Sequence, residues 1–334
     1  MTTPNTSRIV RFHQTGSADE LKIEKLPVAE PAQGEIRIKV EAIGLNRAEI
    51  MFREGQYLET PELPARLGYE AAGIVDQLGS DVTGLSIGDR VSTIPGFSLN
   101  QYGVYGESAI VPAASVAHYP ENLTPGEGAS IWMQYLTAYG ALVEIGSADA
   151  DKTVLITAAS SSVGLAAIQI ANMMGAKCIA TTRGTDKKAF LLETGADHVV
   201  VTDEEDLARS VMELTHGKGA DIIFDPIGGP QLTQLADAAA PQGIIIEYGA
   251  LAPDPTPYPL FPALAKSLTI RGYVLFEITT DPARLEIAKH FVYDGLESGA
   301  LKPIIDRTFV LDDIVQAHRY MESNRQLGKI LVAV

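Results

Sequence analysis

In the first third of the chain, apolar and polar residues alternate with a period of two, which is typical of half-buried strands. Residues 35–41 alternate without interruption, and residues 73–78 form a second candidate strand before a turn-rich Gly-Ser-Asp. Residues 85–91 place a Gly-Asp turn between apolar positions. Short strands separated by glycine-containing turns predict a barrel-like antiparallel module.

The pattern changes near residue 128, where short apolar runs begin to alternate with helical stretches. Strands are predicted at residues 153–157, 177–181, 198–201, 221–224 and 243–247. Helices are predicted at residues 163–174, 187–193 and 204–215. Because these strands are apolar throughout, both faces of their sheet must be covered, which predicts a parallel α/β sheet.

The end of the chain returns to mixed structure. Helical patterns cover residues 282–298 and 311–323, and residues 329–334 are predicted to form a strand. The proline-rich residues 253–262 are predicted to be a loop. A terminal strand can pair with the first module, so we expect the sheet domain to be inserted in the β-rich one.

The composition argues against several classes of function. Asp and Glu outnumber Lys and Arg by 42 to 26, and no basic cluster occurs, so we expect neither nucleic acid nor an anionic membrane as a partner. The single cysteine, Cys178, cannot form an internal disulfide and indicates a reducing compartment. Residues 1–11 lack the apolar core of a secretory signal, and no run of about 18 apolar residues occurs. We therefore expect a soluble cytoplasmic protein.

The loop at residues 157–164 is the predicted site of a dinucleotide. It lies between a predicted buried strand and a predicted helix, where a doubly wound sheet binds a pyrophosphate. Its small residues let the backbone approach phosphates, and the amides of a helix N-terminus favour an anion. We assign Ser161, Ser162 and Val163 to this contact. The alternative is a serine that only caps the helix of an ordinary α/β unit.

The residues after the second predicted strand indicate which coenzyme is bound. Sheets that prefer NAD place Asp or Glu about 20 residues beyond the loop glycines. Here Arg183 stands 19 positions after Gly164, Lys187 follows, and the nearest acid, Asp186, lies outside the expected position. A guanidinium can bind a 2′-phosphate bidentately, so the sequence predicts NADPH. The alternative is that both cations are solvated loop residues.

Short motifs occur along nearly the whole chain: Asn46-Arg-Ala-Glu-Ile, Gly55-Gln-Tyr57, Gly68-Tyr-Glu-Ala-Ala-Gly73, Gly88-Asp-Arg-Val91, Leu136-Thr-Ala-Tyr139, Ala158-Ala-Ser-Ser-Ser-Val-Gly164, Asp225-Pro-Ile-Gly228 and Gly328-Lys329. Together, in this order, they resemble the medium-chain dehydrogenase/reductase superfamily, in its quinone oxidoreductase branch. The resemblance implies a Rossmann-type doubly wound parallel sheet domain inserted in a β-rich GroES-like catalytic domain, with a cleft between them. The predicted division is residues 1–127 and 272–334 for the catalytic domain and residues 128–271 for the Rossmann domain.

The chain departs from the zinc-dependent members of this superfamily. The zinc alcohol dehydrogenases carry Gly-His-Glu, whose histidine binds the catalytic zinc ion, whereas this chain has Gly68-Tyr69-Glu70. The cysteine ligand expected near Leu45 is absent, as are the four cysteines of the structural zinc lobe. Catalytic zinc needs three protein ligands, which Glu70 alone does not supply. We therefore expect a zinc-independent reaction.

The resemblance implies hydride transfer from NADPH to a quinone or another α,β-unsaturated carbonyl. Negative charge then spreads into an enolate, which one or two hydrogen-bond donors can stabilise without a metal. Tyr57 aligns with a tyrosine that related enoyl reductases use as a donor, and it is the candidate catalytic residue; alternatively, it only forms a wall of the cleft. Asn46 is assigned to the nicotinamide ribose or the substrate oxygen, with a helix N-cap as the alternative.

Four further residues are assigned to the coenzyme. Thr137 is placed at the pyrophosphate or the carboxamide. Tyr248 and Gly249 end the fifth predicted strand, at the sheet edge where the nicotinamide lies. Lys329 is expected to reach the coenzyme from near the end of the chain. The alternatives are an ordinary helix residue for Thr137, a core tyrosine for Tyr248 and a surface lysine for Lys329.

Two other functions compete with quinone reduction. One is reduction of an enoyl thioester or a 2-enal, and the other is an NADPH-binding structural or RNA-binding role of the crystallin type. The net charge of −16 speaks against RNA. The family implies a homodimer, with a tetramer as the alternative, and the edge of a predicted sixth strand at residues 268–270 could pair across subunits.

Overall fold

The computed structural model describes residues 6–334, whose contacts form two compact units. The first unit comprises the chain up to Met133 together with Pro303–Val334, and the second comprises Gln134–Lys302. In chain order, the second unit is therefore inserted in the first.

The first unit is built mainly from antiparallel strands. A two-stranded sheet contains β1 (Thr6–Arg11) and β2 (Lys22–Pro27). The larger sheet contains β3 (Glu35–Gly44), β4 (Glu70–Leu78), β5 (Arg90–Thr93), β6 (Ser108–Pro112), β7 (Val116–His118), β14 (Ile305–Val310) and β15 (Lys329–Ala333). Its strand order is β14-β15-β3-β4-β5-β7, and β6 also pairs with β3. The helices of this unit are α1 (Arg47–Arg53), α2 (Pro125–Gly128) and α11 (Ile314–Glu322).

The alternation that predicted the first strands has a direct structural counterpart in β3. Ile36, Ile38 and Val40 point into the core with at most 3% exposure, while the residues between them are more exposed. At the other end of the chain, β15 pairs antiparallel with β3, with Leu331 opposite Gly44. The prediction that the terminal strand returns to the first module is confirmed.

The second unit contains a six-stranded parallel sheet with helices between its strands. The strands are β8 (Thr153–Ile156), β9 (Lys177–Thr182), β10 (His198–Val201), β11 (Ala220–Asp225), β12 (Ala239–Glu247) and β13 (Thr269–Gly272). The helices are α3 (Trp132–Tyr139), which starts just before the unit and continues as a π-helix through Ile145, then α4 (Ser162–Met173), α5 (Lys188–Glu193), α6 (Leu207–Leu214), α7 (Gln231–Ala238), α8 (Leu260–Lys266), α9 (Phe276–Thr279) and α10 (Pro282–Ser298).

The strand order of this sheet is β10-β9-β8-β11-β12-β13. From β8 the chain adds β9 and β10 on one side, and it then adds β11, β12 and β13 on the other side. The position between β8 and β11 is therefore the switch point, which is where doubly wound sheets bind ligands. Leu155, Ile179, Val200, Ile223 and Ile245 from five neighbouring strands form one buried layer. The predicted Rossmann-type sheet is confirmed.

The unit boundaries fall later than the division predicted from sequence. The first lies at 133/134 instead of 127/128, and the second at 302/303 instead of 271/272. Residues after β13 stay with the second unit because their side chains pack on α3 and its continuation. The Tyr273 hydroxyl donates to the Leu136 carbonyl at 3.3 Å, and Arg284 pairs with Glu144 at 2.5 Å.

Two expectations about helices can be compared with the structure: the loop predicted near residue 260 and the absence of a membrane span. Residues 260–262, predicted to be loop, begin α8 instead, because prolines are compatible with the first turn of a helix. Within residues 6–334, none of the helices combines the length and the apolar character that a membrane span requires.

Candidate functional site

The loop between β8 and α4 has the geometry of an anion-binding helix start. Ser161 precedes the helix in an extended conformation, and its Oγ accepts from the Gly164 backbone N–H at 3.0 Å. Ser162 and Val163, in the first turn, are half-buried. The serine cap considered from sequence is therefore present, and it still leaves other first-turn N–H groups at the end of a 12-residue helix.

Gly164 sets how closely this loop packs on the helix. A Cβ atom at this position would lie 2.6 Å from both Cα and the carbonyl oxygen of Ala159. These are backbone atoms that no side-chain rotation can move aside. The loop can therefore lie against the helix start only because residue 164 has no side chain.

The two predicted phosphate-binding cations follow β9. Arg183 is exposed, and none of the ion pairs found among residues 6–334 includes it. Lys187 contacts the loop, since its Nζ donates to Ser160 Oγ at 3.2 Å. The inserted unit thus brings Lys187 onto the loop that sequence assigned to the pyrophosphate. It leaves the Arg183 guanidinium available to an anion from solution.

A row of polar side chains crosses the carboxyl ends of the central strands. Asp225 and Glu247 are register partners on β11 and β12, and Thr157 just after β8 donates a hydrogen bond to Asp225. The Gly228 N–H also donates to Asp225, at 2.7 Å. Burial and the neighbouring Asp225 raise the pKa of Glu247 to about 9. No sequence motif had singled out Glu247, because its pairing depends on the register of two strands.

Tyr248 and Gly249 follow β12, as predicted. The Tyr248 ring stacks on Phe224, with centroids 3.9 Å apart and planes 15° apart, and burial raises its pKa. Gly249 is exposed, and a Cβ atom there would lie 2.7 Å from the Pro226 carbonyl oxygen. Thr137 lies in α3 and is only 6% exposed. The assignment of these three residues to the coenzyme stays a prediction.

In the first unit, Asn46 is the centre of a buried polar network. Its Nδ2 donates to the Gly44 carbonyl at 3.1 Å and to Glu70 Oε2 at 3.2 Å. Its backbone N–H donates to Glu49 Oε2 at 2.5 Å, the carboxylate half of a capping box at the start of α1. Its Oδ1 accepts from Lys329 at 2.7 Å. The helix-cap alternative for Asn46 is therefore present, and its amide is held by groups of the protein.

Lys329 lies inside this network and is only 1% exposed. Its ammonium pairs with Glu70 as well as with Asn46. The surface-lysine alternative is therefore wrong. The physical reason is that β15 is an inner strand of the large sheet, so its first side chain points into the core beside two hydrogen-bond acceptors. Contact of Lys329 with a coenzyme stays a prediction.

Glu49 holds the segment before β4. Its Oε1 accepts from the Tyr69 backbone N–H at 2.9 Å, and its Oε2 accepts from the Tyr105 hydroxyl at 2.8 Å. Burial raises the pKa of Glu49 to about 7, opposed by these hydrogen bonds and by the charge of Lys329. The sequence motifs include Glu49 only as part of Asn46-Arg-Ala-Glu-Ile, with no role assigned to it. Its position three residues after Asn46 is the signature of a capping box and could have identified it.

Tyr57 lies in the bend after α1 and is half-buried. Its ring centroid is 6.4 Å from that of Tyr69, at an interplanar angle of 60°. Burial raises the pKa of Tyr57. The phenol is therefore protonated at neutral pH and can donate a hydrogen bond.

The residues present do not fit a zinc ion. Tyr69 stands where the zinc-dependent relatives have a histidine ligand, and Glu70 is already paired with Lys329. In the described part of the chain, residues 6–334, no three His, Cys, Asp or Glu side chains lie close enough together to hold a metal ion. Cys178 is buried, and burial raises the pKa of its thiol, which disfavours the thiolate that binds metals.

Comparison with known families and proteins agrees with this architecture. The family model of the alcohol dehydrogenase GroES-like domain matches residues 32–121, and that of zinc-binding dehydrogenases matches residues 162–289. The quinone oxidoreductase of Pseudomonas aeruginosa is 28% identical over 324 residues, which are 97% of this chain and 98% of the relative. A 2-haloacrylate reductase of a Burkholderia species is 28% identical over 327 residues, covering 96% of this chain and 97% of the relative.

Among solved structures, that of Escherichia coli quinone oxidoreductase complexed with NADPH is similar to this chain with a TM-score of 0.92. The two are 30% identical, and the match covers 98% of this chain and 100% of the other. A GroES-like unit with an inserted Rossmann sheet defines a two-domain dehydrogenase or reductase. The chain belongs to the medium-chain dehydrogenase/reductase superfamily, in its quinone oxidoreductase branch. The predicted family and the predicted class of enzyme, an oxidoreductase, are confirmed.

Proposed function

We propose that this protein reduces quinones or other α,β-unsaturated carbonyls by transferring hydride to them from NADPH, without a metal ion. The observation that carries the choice of coenzyme is Arg183, an exposed guanidinium at the carboxyl end of β9 that has no acidic partner among residues 6–334. The similar quinone oxidoreductase structure that contains NADPH supports the same choice.

The inserted unit offers distinct groups for the two phosphate regions of this coenzyme. The first-turn amides of α4 at Ser162 and Val163 would hold the pyrophosphate, since a helix N-terminus favours an anion. Arg183 would bind the 2′-phosphate, together with Lys187 beside the loop. When bound, NADPH supplies the hydride, which is the difficult part of the chemistry.

At the substrate end, Tyr57 is the proposed hydrogen-bond donor. Its phenol is half-buried and its pKa is raised, so it carries its proton at neutral pH. Donation to the substrate oxygen stabilises the negative charge that develops when hydride arrives at the conjugated carbon. Asn46 precedes α1 in the same unit as Tyr57, and its amide is hydrogen-bonded to Glu70 and Lys329. These bonds fix the position at which α1 begins.

The substrate is proposed as an electron-poor conjugated system, without a choice between its members. A quinone oxidoreductase and a 2-haloacrylate reductase match the chain at the same identity, 28%. Steady-state rates with a naphthoquinone, a 2-alkenal and an enoyl thioester, each with NADPH, would rank the three. If the protein does not oxidise NADPH with any of these three electrophiles, the proposed reaction is contradicted.

Replacing Arg183 tests the coenzyme assignment. We expect Arg183→Ala to raise the dissociation constant for NADPH about 10- to 100-fold and to leave that for NADH within about twofold, because only NADPH has the phosphate that a guanidinium binds. Both constants are measured by coenzyme fluorescence. Arg209→Ala removes another exposed arginine, whose side chain is 73% exposed, and is the matched control. Equal weakening of both coenzymes by Arg183→Ala would contradict the assignment.

A homodimer is the proposed assembly, with its interface at the outer edge of the parallel sheet. β13 is the last strand of the sheet, so its outer backbone groups are unpaired within the sheet. Nearby, α8 exposes Leu260, Phe261 and Leu264 at 51%, 80% and 68%. A two-fold axis through this edge would cover the apolar side chains of both copies.

Light scattering after size-exclusion chromatography tests the dimer. Phe261→Glu should shift the wild-type dimer mass toward that of a monomer. Leu58→Glu, at an equally exposed leucine of the first unit, should not. If light scattering gives the wild-type protein the mass of a monomer, the proposed dimer is contradicted.

A further inference from the structure

The proposed donor Tyr57 lies in an irregular segment of the first unit. Residues 57–64, all within the described part of the chain, form neither helix nor strand. The segment follows the turn that ends α1, and at its other end Ala65 pairs with Phe12 through two backbone hydrogen bonds, of 2.9 and 3.1 Å. Without regular structure, a segment of this length can adopt many conformations between its two ends. The position of Tyr57 therefore depends on what holds the middle of the segment.

The middle of the segment is bound to residues 98–100 through the side chain of Glu59. Its carboxylate accepts from the Ser98 hydroxyl and from the Leu99 backbone N–H, the latter at 3.0 Å. The same carboxylate accepts from Asn100 Nδ2 at 3.0 Å. Hydrogen bonds to an ionised acceptor are stronger than bonds between neutral groups, so Glu59 is an effective anchor.

Asn100 makes the connection from the opposite side. Its Nδ2 also donates to the Thr60 carbonyl at 2.9 Å, and its Oδ1 accepts from the Glu62 N–H at 2.7 Å. Glu59 and Asn100 each take part in three of the five hydrogen bonds between the two segments, and they share one of them. We call these five hydrogen bonds the Glu59–Asn100 clamp.

The other side of the clamp belongs to a turn that is fixed on the large sheet. Leu99 is fully buried, and the Ser98 carbonyl accepts from the Tyr102 N–H at 2.9 Å. The Tyr102 hydroxyl donates to Glu35 of β3 at 2.8 Å. Its ring packs edge-on against the buried Phe97, with centroids 5.8 Å apart. The clamp therefore fastens an irregular segment to a rigid one.

We propose that Glu59 and Asn100 are positioning residues for Tyr57: the clamp holds the segment that carries Tyr57 and keeps its phenol where it can donate to the substrate oxygen. This inference rests on the proposed role of Tyr57. Tyr57 stands two positions before Glu59, so its backbone has little room to move while the clamp is intact. A donor stabilises developing charge only when it is correctly placed, so a released Tyr57 slows the reaction without weakening coenzyme binding.

Two substitutions in the full-length enzyme break the clamp in different ways. Glu59→Gln keeps the length of the side chain, but it removes the charge and leaves one acceptor oxygen instead of two. Asn100→Ala removes the shared hydrogen bond and leaves the Glu59 charge in place. We expect each to lower kcat about tenfold, with whichever electrophile wild type reduces fastest, and to leave the NADPH dissociation constant within about twofold of wild type. Glu62→Gln is the matched control, because only the backbone of Glu62 joins the clamp and its side chain is exposed.

The dependence on Tyr57 separates positioning from general damage. In the Tyr57→Phe background, neither Glu59→Gln nor Asn100→Ala should lower kcat further, because the hydroxyl that they position is absent. Equal losses in both backgrounds, or no loss in either, would overturn the proposal. A loss in Glu59→Gln that Asn100→Ala does not share would also overturn it, since it would indicate an effect of charge alone. If Tyr57→Phe leaves kcat unchanged while wild type reduces a quinone with NADPH, the reductase function stands and this inference falls.

A second measurement does not require turnover. Chymotrypsin cleaves after Tyr and Leu, and Leu58 is 74% exposed, so cleavage after Tyr57 or Leu58 reports how readily the segment opens. We expect Glu59→Gln and Asn100→Ala each to raise this cleavage rate about tenfold, with cleavage elsewhere in the chain unchanged. Glu62→Gln should cleave like wild type. Unchanged cleavage in both clamp variants would overturn the proposal even if no tested electrophile is reduced.

Discussion

At the scale of single residues, the acid pair Asp225 and Glu247 makes the stability of the protein depend on pH. The two carboxyl groups end adjacent parallel strands and are register partners, so ionising both places two like charges side by side. The pKa of Glu247 rises from an ordinary 4.5 to about 9, through burial first and the Asp225 charge second. An acid whose pKa is higher in the fold than in the unfolded chain binds its proton more tightly in the fold. Its contribution to stability is therefore complete below about pH 4.5 and is lost as the pH rises through about 9.

Replacing Glu247 should remove this dependence. Glutamine resembles the protonated acid and cannot ionise, so the melting temperature of Glu247→Gln should fall less than that of wild type between pH 7 and pH 9.5. We expect a difference on the order of 4 °C at the upper pH, by scanning calorimetry. Glu213→Gln, at an acid that is 73% exposed, serves as the control. If the melting temperatures of wild type and Glu247→Gln fall by the same amount as the pH rises, Glu247 is already ionised in the fold at neutral pH.

At the scale of elements, the loop from β8 to α4 depends on one residue without a side chain. Gly164 lies in the first turn of α4, where a Cβ atom would meet the backbone of Ala159 at 2.6 Å. Neither the helix nor β8, which is buried between β9 and β11, can shift without disturbing the sheet. Relief must therefore come from the loop, which is the part proposed to hold the pyrophosphate.

Gly164→Ala should therefore weaken coenzyme binding more than its small size suggests. We expect the NADPH dissociation constant to rise at least tenfold and the free energy of unfolding to fall by about 1–3 kcal/mol, the usual cost of overpacking. Gly272→Ala adds a methyl group to the same sheet where no atom of the chain lies within 4 Å, and it should leave the NADPH dissociation constant within about twofold of wild type. Fluorescence titration and thermal unfolding of both variants make the comparison. An unchanged NADPH affinity in Gly164→Ala would argue against a pyrophosphate at this loop.

At the scale of the whole molecule, a buried ion pair joins the two ends of the chain. Lys329, in the terminal strand, pairs with Glu70 and donates to Asn46, which is 283 positions away in sequence. Its side chain passes Gly44, where a Cβ atom would lie 2.7 Å from Lys329 Cε. The first unit therefore needs the last residues of the chain to complete both its sheet and its polar core.

Lys329→Met should be strongly destabilising, because it leaves Glu70 as a buried charge without its partner. Removing one member of such a pair costs about 3–5 kcal/mol. The double variant Lys329→Met with Glu70→Gln should regain a large part of that loss, since no unpaired charge is then buried. Chemical unfolding of wild type and both variants measures the effect, with the exposed Lys22→Met as the control. A single variant within about 1 kcal/mol of wild type would show that Glu70 is protonated or solvated instead.

The sequence by itself determined the order and type of the main elements. Apolar runs located the strands of the parallel sheet because both of its faces are buried, and strict alternation located β3 because only one face is. The small residues at 157–164 predicted the turn between β8 and α4, since a tight turn before a helix requires them, and this turn is the proposed phosphate loop. These are local properties, in which each residue's neighbours in sequence are also its neighbours in space.

Only the tertiary structure decided which distant side chains meet. The network of Asn46, Glu70 and Lys329, the register that pairs Asp225 with Glu247, and the contact between the Tyr57 and Tyr69 rings all join residues from separate elements. The later boundary at 302/303 has the same origin, because it depends on which unit the side chains after β13 pack against. No local pattern encodes such contacts, since they arise when strand pairing and burial bring the elements together.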